Sequence, residues 1–251
     1  MKLRRTSIAL VCAVAASVAT ASPAWAGTKA RGIDVSRFNG AIDWPTVASS
    51  GGIRFAFVAA SRGSGGDCAV KPDACGPDPL FAANRANAKA AGIRVGAYHR
   101  GFASGATRAE ARADARAEAD VFLAQVGTLV SGELVPVLDV ETPFTGLNPK
   151  RLAAWIRAWV KRVNKRLGRK PMIYTSATSW GATGDTREFA KAKYPLWVAH
   201  WKVSRPTVPA RNWARRGYSV WQYTSSGSVP GISGRVDLDR LRVGLAKITI
   251  K

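Results

Sequence analysis

Eight short apolar stretches, most of them followed by a segment with helical signals, constrain this chain more than any other feature. They lie at residues 31–36, 53–60, 93–99, 133–141, 171–175, 196–201, 219–223 and 235–238. Helix starts stand between them. Asp43-Trp44-Pro45 opens one helix, stopped by Gly51-Gly52, and Asp78-Pro79 opens another that runs to Ala91 before Gly92. Thr107-Arg108-Ala109-Glu110 is a capping box opening a long helix to about Val126. Its Ala/charge alternation has a strand-like period, but Ala, Arg and Glu form helices well and strands poorly. Asn148-Pro149 starts a helix with Leu152, Ile156, Trp159, Val163 and Leu167 at helical spacing and Gly168 as its stop. A short helix is expected near 188–193. Strands alternating with helices imply a mainly parallel sheet, and eight of them imply closure. The expected fold is therefore α/β, a single TIM-like barrel of eight strands and about five helices. Its last two strands have no helix between them. No repeat, linker or second domain appears.

The stretch 133–141 (Glu-Leu-Val-Pro-Val-Leu-Asp-Val-Glu) is an apolar run that ends in two carboxylates. Strand side chains alternate faces, so Asp139 and Glu141 point one way and Val140 the other. Two acids at close range raise at least one pKa, and a proton donor beside an ionised partner suits glycosidic bond cleavage. In parallel barrels the chemistry sits at the C-terminal strand ends. The polar groups expected there are Asp34, His99, Asp139, Glu141, Tyr174, His200, Gln222 and Asp237. Tyr98, Trp201, Trp221 and Tyr223 would stand beside them. Acids among aromatic rings suit a carbohydrate, whose C–H faces pack on the rings.

Residues 1–26 read as a secretory signal peptide. Lys2, Arg4 and Arg5 precede an apolar run, and Ala24-Trp25-Ala26 is a small-x-small cleavage site. Cleavage would leave 27–251 as the mature chain, secreted and extracellular. Cys12 would leave with the leader. Cys68 and Cys75, in a Gly/Pro/Asp-rich stretch, then read as a local disulfide. No metal or other cofactor is implied, since His99 and His200 stand alone and no Cys-x-x-Cys pair occurs. The formal charge is +22, falling to +19 without Lys2, Arg4 and Arg5. Nucleic acid is the default partner for such a balance. No basic arm, zinc-finger spacing or RNA-binding motif is present, however, and an anionic cell wall is an equally good counterpart.

The ordered set of motifs resembles the glycoside hydrolase family 25 lysozymes, a family of N-acetylmuramidases. The resemblance rests on Gly32-Ile33-Asp34-Val35-Ser36 with Asn39-Gly40 and Ile42-Asp43-Trp44, then Gly92-Ile93 and Gly96-Ala97-Tyr98-His99. It continues through 136–141, 171–175, Leu196-Trp197-Val198-Ala199, Trp221-Gln222-Tyr223 and Val236-Asp237-Leu238-Asp239. It implies an irregular barrel of eight strands and five helices. It also implies Glu141 as catalytic acid, Asp139 as the orienting or stabilising carboxylate beside it, and Asp34 and Asp237 as the other two acids of the site. Asp239 is the weaker neighbour of Asp237. Two positions depart from the family pattern. Ser61-Arg62-Gly63 stands where many members have Glu before Gly, and Arg100 stands where an aromatic often follows Tyr-His. Arg62 thereby becomes a candidate for an anionic substituent on the glycan.

The expected activity is hydrolysis of the β-1,4 bond from N-acetylmuramic acid to N-acetylglucosamine in peptidoglycan. The rival is a non-catalytic peptidoglycan-binding protein on the same barrel. A chitinase of another barrel family lacks support because Pro136 and Val137 break the Asp-x-x-Asp-x-Asp-x-Glu run. A zinc deacetylase lacks support because the two His are isolated. Expected partners are peptidoglycan glycan strands and anionic wall polymers, with no nucleic acid and no membrane after leader cleavage. The protein is expected to be a monomer.

Overall fold

A computed structural model describes residues 30–50, 52–64 and 75–251. The expected leader and Cys68 lie outside the described residues. Nine strands are present among them: β1 (Arg31–Val35), β2 (Ile53–Arg62), β3 (Gly76–Pro77), β4 (Arg94–Arg100), β5 (Val137–Asp139), β6 (Met172–Ser176), β7 (Leu196–Ala199), β8 (Val220–Gly227) and β9 (Val236–Leu241). Eight of them close in the order β1-β9-β8-β7-β6-β5-β4-β2, with β2 pairing back onto β1. The two-residue β3 hangs on the end of β2, where Ser61 and Arg62 oppose Pro77 and Gly76. The pairs β1–β2, β2–β4, β4–β5, β5–β6, β6–β7 and β7–β8 are parallel. Only β9 runs against its barrel neighbours, β8 and β1. A helix is needed to return the chain for a parallel pairing, but not for an antiparallel one. That is why the last two strands need none.

Among the described residues seven α-helices cover the barrel: α1 (Trp44–Ser50), α2 (Phe81–Ala90), α3 (Arg108–Val126), α4 (Pro149–Leu167), α5 (Ala177–Gly181), α6 (Glu188–Lys191) and α7 (Pro209–Arg215). The caps expected for α3 and α4 form, whereas α2 begins at Phe81, two residues after Pro79, with no side-chain cap. Thr107 accepts from the Glu110 N–H at the head of α3, and Asn148 accepts from the Arg151 N–H at the head of α4. Gly168 closes α4 in the left-handed conformation. α5 and α7 add to the expected set of about five. In α7, Ala210 to Arg215 all have positive φ between 48° and 65°, a left-handed turn of L-residues. Such residues cost about 1–2 kcal/mol each. Burial of Trp213 opposes this: its indole N–H donates to the Tyr194 carbonyl at 2.8 Å, and its ring packs on Trp180 at 5.0 Å.

Two apolar layers result from the strand alternation. Inside the barrel lie Phe55, Phe57, Val137, Met172, Trp197 and Val220, with Phe57 stacked on Trp197 at 4.6 Å. Between barrel and helices lie Ile33, Val58, Phe122, Leu138, Trp155, Trp159 and Trp180. Gly32 and Gly96 make room for the interior rings. A Cβ on Gly32 would stand 2.3 Å from the Phe55 ring, and one on Gly96 2.8 Å from the Phe57 ring. The C-terminal segment closes the far end: Ile248 joins the interior layer, and Thr249 bridges Leu134.

Candidate active site

The strand register gathers the acids at one end of the barrel. Asp34, near the end of β1, lies opposite Asp237 at the start of the antiparallel β9. Asp139 ends β5 between Arg100 on β4 and Tyr174 on β6. Glu141 lies two residues past the strand. Its segment is held by the Val140 N–H donating to the Tyr174 carbonyl at 2.9 Å and by the Thr175 hydroxyl donating to the Val140 carbonyl at 2.8 Å. Val140 is buried in the outer layer. The alternation of faces expected for 139–141 therefore persists beyond the strand.

A cavity of about 320 Å³ opens at this rim. Asp34, Asp139, Glu141 and Asp237 all line it, together with Arg62, Tyr98, Tyr174, Trp201 and Gln222. A hydrogen-bond chain runs along one wall. The Tyr174 hydroxyl and the Trp201 indole N–H both donate to Gln222 Oε1 at 2.9 Å, and Gln222 Nε2 donates to Asp34 Oδ2 at 2.8 Å. Gln222 is thus held by both ends, with its amide donor turned to the acid.

Burial dominates the electrostatics. It pushes Asp34 well above the usual carboxylate range, and the charges of Asp239 and Asp237 add to the effect. Asp237 is pushed up to about 6 by burial and by Glu141. Asp139 is pushed up to about 7, with burial outweighing the favourable charge of Arg100. Near neutral pH the site therefore still holds protons. Asp239 is fully buried behind the cavity and bonded to the Trp197 indole N–H at 2.8 Å. It does not line the cavity.

Arg100 is the residue that sequence reasoning undervalued. Its guanidinium pairs with Asp139 at 3.1 Å and with Glu141 through the same nitrogen. It also donates to the Thr142 carbonyl at 3.3 Å. Strand parity carries the signal, because Arg100 stands two residues after Tyr98 and so faces the same way. The same rule finds Ser36 two residues beyond Asp34, and Trp197 on the face of Ala199 and Trp201. Ser36 and Trp197 line the cavity, as do Phe38 and Ser225. Arg62 lies on the rim between the rings of Phe38, at 5.1 Å, and Phe102, at 5.5 Å.

Four residues expected on this rim do not line the cavity. His99 alternates with Tyr98 and points outward, where it is fully buried against Trp159 and Phe122. Its Nδ1 accepts from the Ser61 hydroxyl at 2.8 Å, and its Nε2–H donates to Glu118 at 2.7 Å. Burial, with help from Arg100, lowers His99 to about 3, so the ring is neutral. Ser61, His99 and Glu118 are all fully buried, and the cavity does not reach them. Trp221 flanks Gln222 on the opposite face, and its indole N–H donates to the His200 carbonyl at 2.8 Å. Tyr223 likewise turns outward, beneath the Arg240 guanidinium at 4.1 Å. His200 accepts from the Thr207 N–H at 2.9 Å instead of facing the cavity. Cys75 is buried near Gly63, and its pairing with Cys68 lies outside the described residues.

A closed, mainly parallel barrel with a rim of partly protonated acids beside aromatic rings defines a glycosidase-like class of protein. The particular family follows from comparison. The model of glycosyl hydrolases family 25 matches residues 33–232, and the chain belongs to that family. Lysozyme M1 of Streptomyces globisporus is 35% identical over 227 residues, which are 87% of this chain and 69% of that protein. An N,O-diacetylmuramidase of Arthroderma benhamiae is 31% identical over 225 residues, 85% of this chain and 86% of its own. The crystal structure of a bacterial lysozyme from Streptomyces coelicolor superposes with a TM-score of 0.74 at 34% identity, covering 88% of this chain and 95% of that one. The protein is a glycoside hydrolase.

Proposed function

We propose that the protein is a secreted lysozyme that hydrolyses the β-1,4 bond between N-acetylmuramic acid and N-acetylglucosamine in peptidoglycan. The observation that carries this reading is the convergence of Asp34, Asp139, Glu141 and Asp237 on one cavity in a family 25 chain. Glu141 is the proton donor to the leaving oxygen as the anomeric carbon gains oxocarbenium character. Asp139 orients or stabilises the reacting acetamido group, and Asp34 and Asp237 complete the acidic rim. Tyr98, Tyr174 and Trp201 offer rings to the sugar faces, and Gln222 offers an amide. The charged start, apolar run and small-x-small site within residues 1–26 support export.

One observation favours the rival, a non-catalytic wall-binding protein. Arg100 pairs with both carboxylates on which the chemistry would depend. Digestion of purified peptidoglycan, followed by mass analysis of the muropeptides, decides between them. New reducing-end muramic acid is the expected product. Reducing-end glucosamine would make the enzyme a glucosaminidase, and no new ends with retained wall binding would select the rival. Glu141→Gln keeps the shape and loses the proton, so turnover falls by at least ~100-fold while glycan binding persists. Near-normal turnover in that variant would move the donor elsewhere.

A further inference from the structure

The outer face of α3 and α4 carries a strip of cations that the barrel does not use. In α3 the acids Glu110, Asp114 and Glu118 recur every four residues, and so do Arg108, Arg112 and Arg116. The two sets are offset by two residues, which on a helix of about 100° per residue places them on opposite sides. The acids are engaged internally. Glu110 closes the capping box, and Asp114 accepts from the Ser104 N–H at 3.0 Å and the Trp155 indole at 2.6 Å. Glu118 is buried on His99. The arginines are left exposed.

α4 faces them with no acid anywhere in Pro149–Leu167. Its exposed Lys161 and Lys165 line one groove with Arg112 and Arg116, over a floor of Ala154 and Ala158. Two carboxylates stand at this face: Asp120, next in the arginine register of α3, pairs with Arg162 at 2.7 Å, and Glu188 of α6 pairs with Arg157. Among the described residues, Arg112, Arg116, Lys161 and Lys165 are in no salt bridge. A second groove shares Arg157 and adds Arg108, Lys150 and Arg151. It carries the strip to the N-terminal ends of both helices, the rim on which the acidic cavity opens. From Lys150 to Lys165 the track runs about 22 Å at 1.5 Å per residue. Like charges at i,i+4 repel, and they lie within one screening length of about 8 Å. An anion with several charges in a row relieves that repulsion along the whole track.

We propose that the α3/α4 groove is a docking track for a linear phosphodiester polymer of the cell wall, a polyol-phosphate chain, that holds the barrel with its cavity toward the adjacent glycan. The choice of a wall polymer rests on the lysozyme reading, whereas the polyanion surface does not. No aromatic ring lines the groove, so it lacks the stacking platform that single-stranded nucleic acid uses. A flexible chain with one phosphate per unit fits a narrow groove with cations on both walls.

The test uses the mature protein carrying R112Q, R116Q, K161Q and K165Q together, since Gln keeps helix propensity. A control quartet, K191Q, R205Q, R211Q and K247Q, removes the same charge elsewhere. Binding is measured to purified poly(glycerol phosphate), to duplex DNA, and to walls before and after chemical removal of that polymer. The groove quartet is expected to bind polymer and intact walls at least ~10-fold more weakly than parent and control, with a flatter salt dependence. On stripped walls the three proteins should bind alike. Activity on soluble, polymer-free glycan should be unchanged. Equal losses in both quartets would reduce the effect to bulk charge and overturn the proposal. So would a loss that persists on stripped walls, or a loss confined to DNA. Because binding is read directly, a parent that cleaves no glycan would sink the lysozyme reading and leave this result standing.

Discussion

Arg100 sets the most local question, because one guanidinium bonds both Asp139 and Glu141. A cation within hydrogen-bond reach favours an ionised carboxylate, and Arg100 holds Asp139 down in this way against the rise that burial causes. A phenylalanine in its place exerts no such pull. Arg100→Phe is therefore expected to raise Asp139 further and to move upward the limb of the kcat/KM profile that follows Asp139. An unmoved limb would show that the Arg100–Asp139 pair opens before substrate is bound. The site acids were legible at this scale because strand parity places residues two apart on one face. The same rule, applied strictly, separates Tyr98 from His99 and Gln222 from Trp221 and Tyr223. A polar residue at a strand end is half as informative as its register, which the sequence does not print.

Among the elements, the strands were legible because short apolar runs between turn signals have few alternatives, and the long helices because their caps are chemically specific. α7 was not, since L-residues default to the right-handed helix and only the burial of Trp213 selects the other hand. α3 carries its function as a two-sided helix, and its inner side is testable. Glu118 takes the His99 N–H and the Phe102 backbone N–H at 3.1 Å, all within the layer under β4. Glu118→Ala leaves both donors buried and unpaired, a loss on the order of 3 kcal/mol. At roughly 2–4 °C per kcal/mol for a chain of this size, calorimetry should find Tm lower by about 6–12 °C. KM on soluble glycan should hold, because His99 does not reach the cavity; a large KM rise with unchanged Tm would contradict that. The segment that joins β2 to β3 has its own check. Mass spectrometry of alkylated, unreduced mature protein should find Cys68 and Cys75 unlabelled, and two labelled thiols would remove the disulfide.

At the scale of the whole molecule, closure was legible by counting eight strands, while the plug of Ile248 at the far end was not, because a short apolar tail has no pattern of its own. The barrel concentrates buried acids at its open end, and this couples function to stability. An acid whose pKa is higher in the folded chain than in the unfolded one binds more protons when folded between the two values. Stability then falls as pH rises through that window and levels off above it. For Asp139 the window runs from about 4 to about 7, for Asp237 to about 6, and Asp34 shifts in the same direction. His99 acts oppositely, because its lowered pKa costs stability as pH falls from 6.5 toward 3. Buried Asp239 shifts the same way, so four acids against one imidazole make the expected slope negative between pH 5 and 7. Asp139→Asn removes one acid from the balance and leaves Arg100 paired with Glu141. The variant should match the parent near pH 4 and exceed it near pH 8, by several degrees in Tm if the gain is on the order of 2 kcal/mol. Activity should fall in the same variant, which would mark Asp139 as a residue kept at a cost to the fold. A gain in Tm that is equal at both pH values would show that packing, and not the buried charge, is what the substitution relieves.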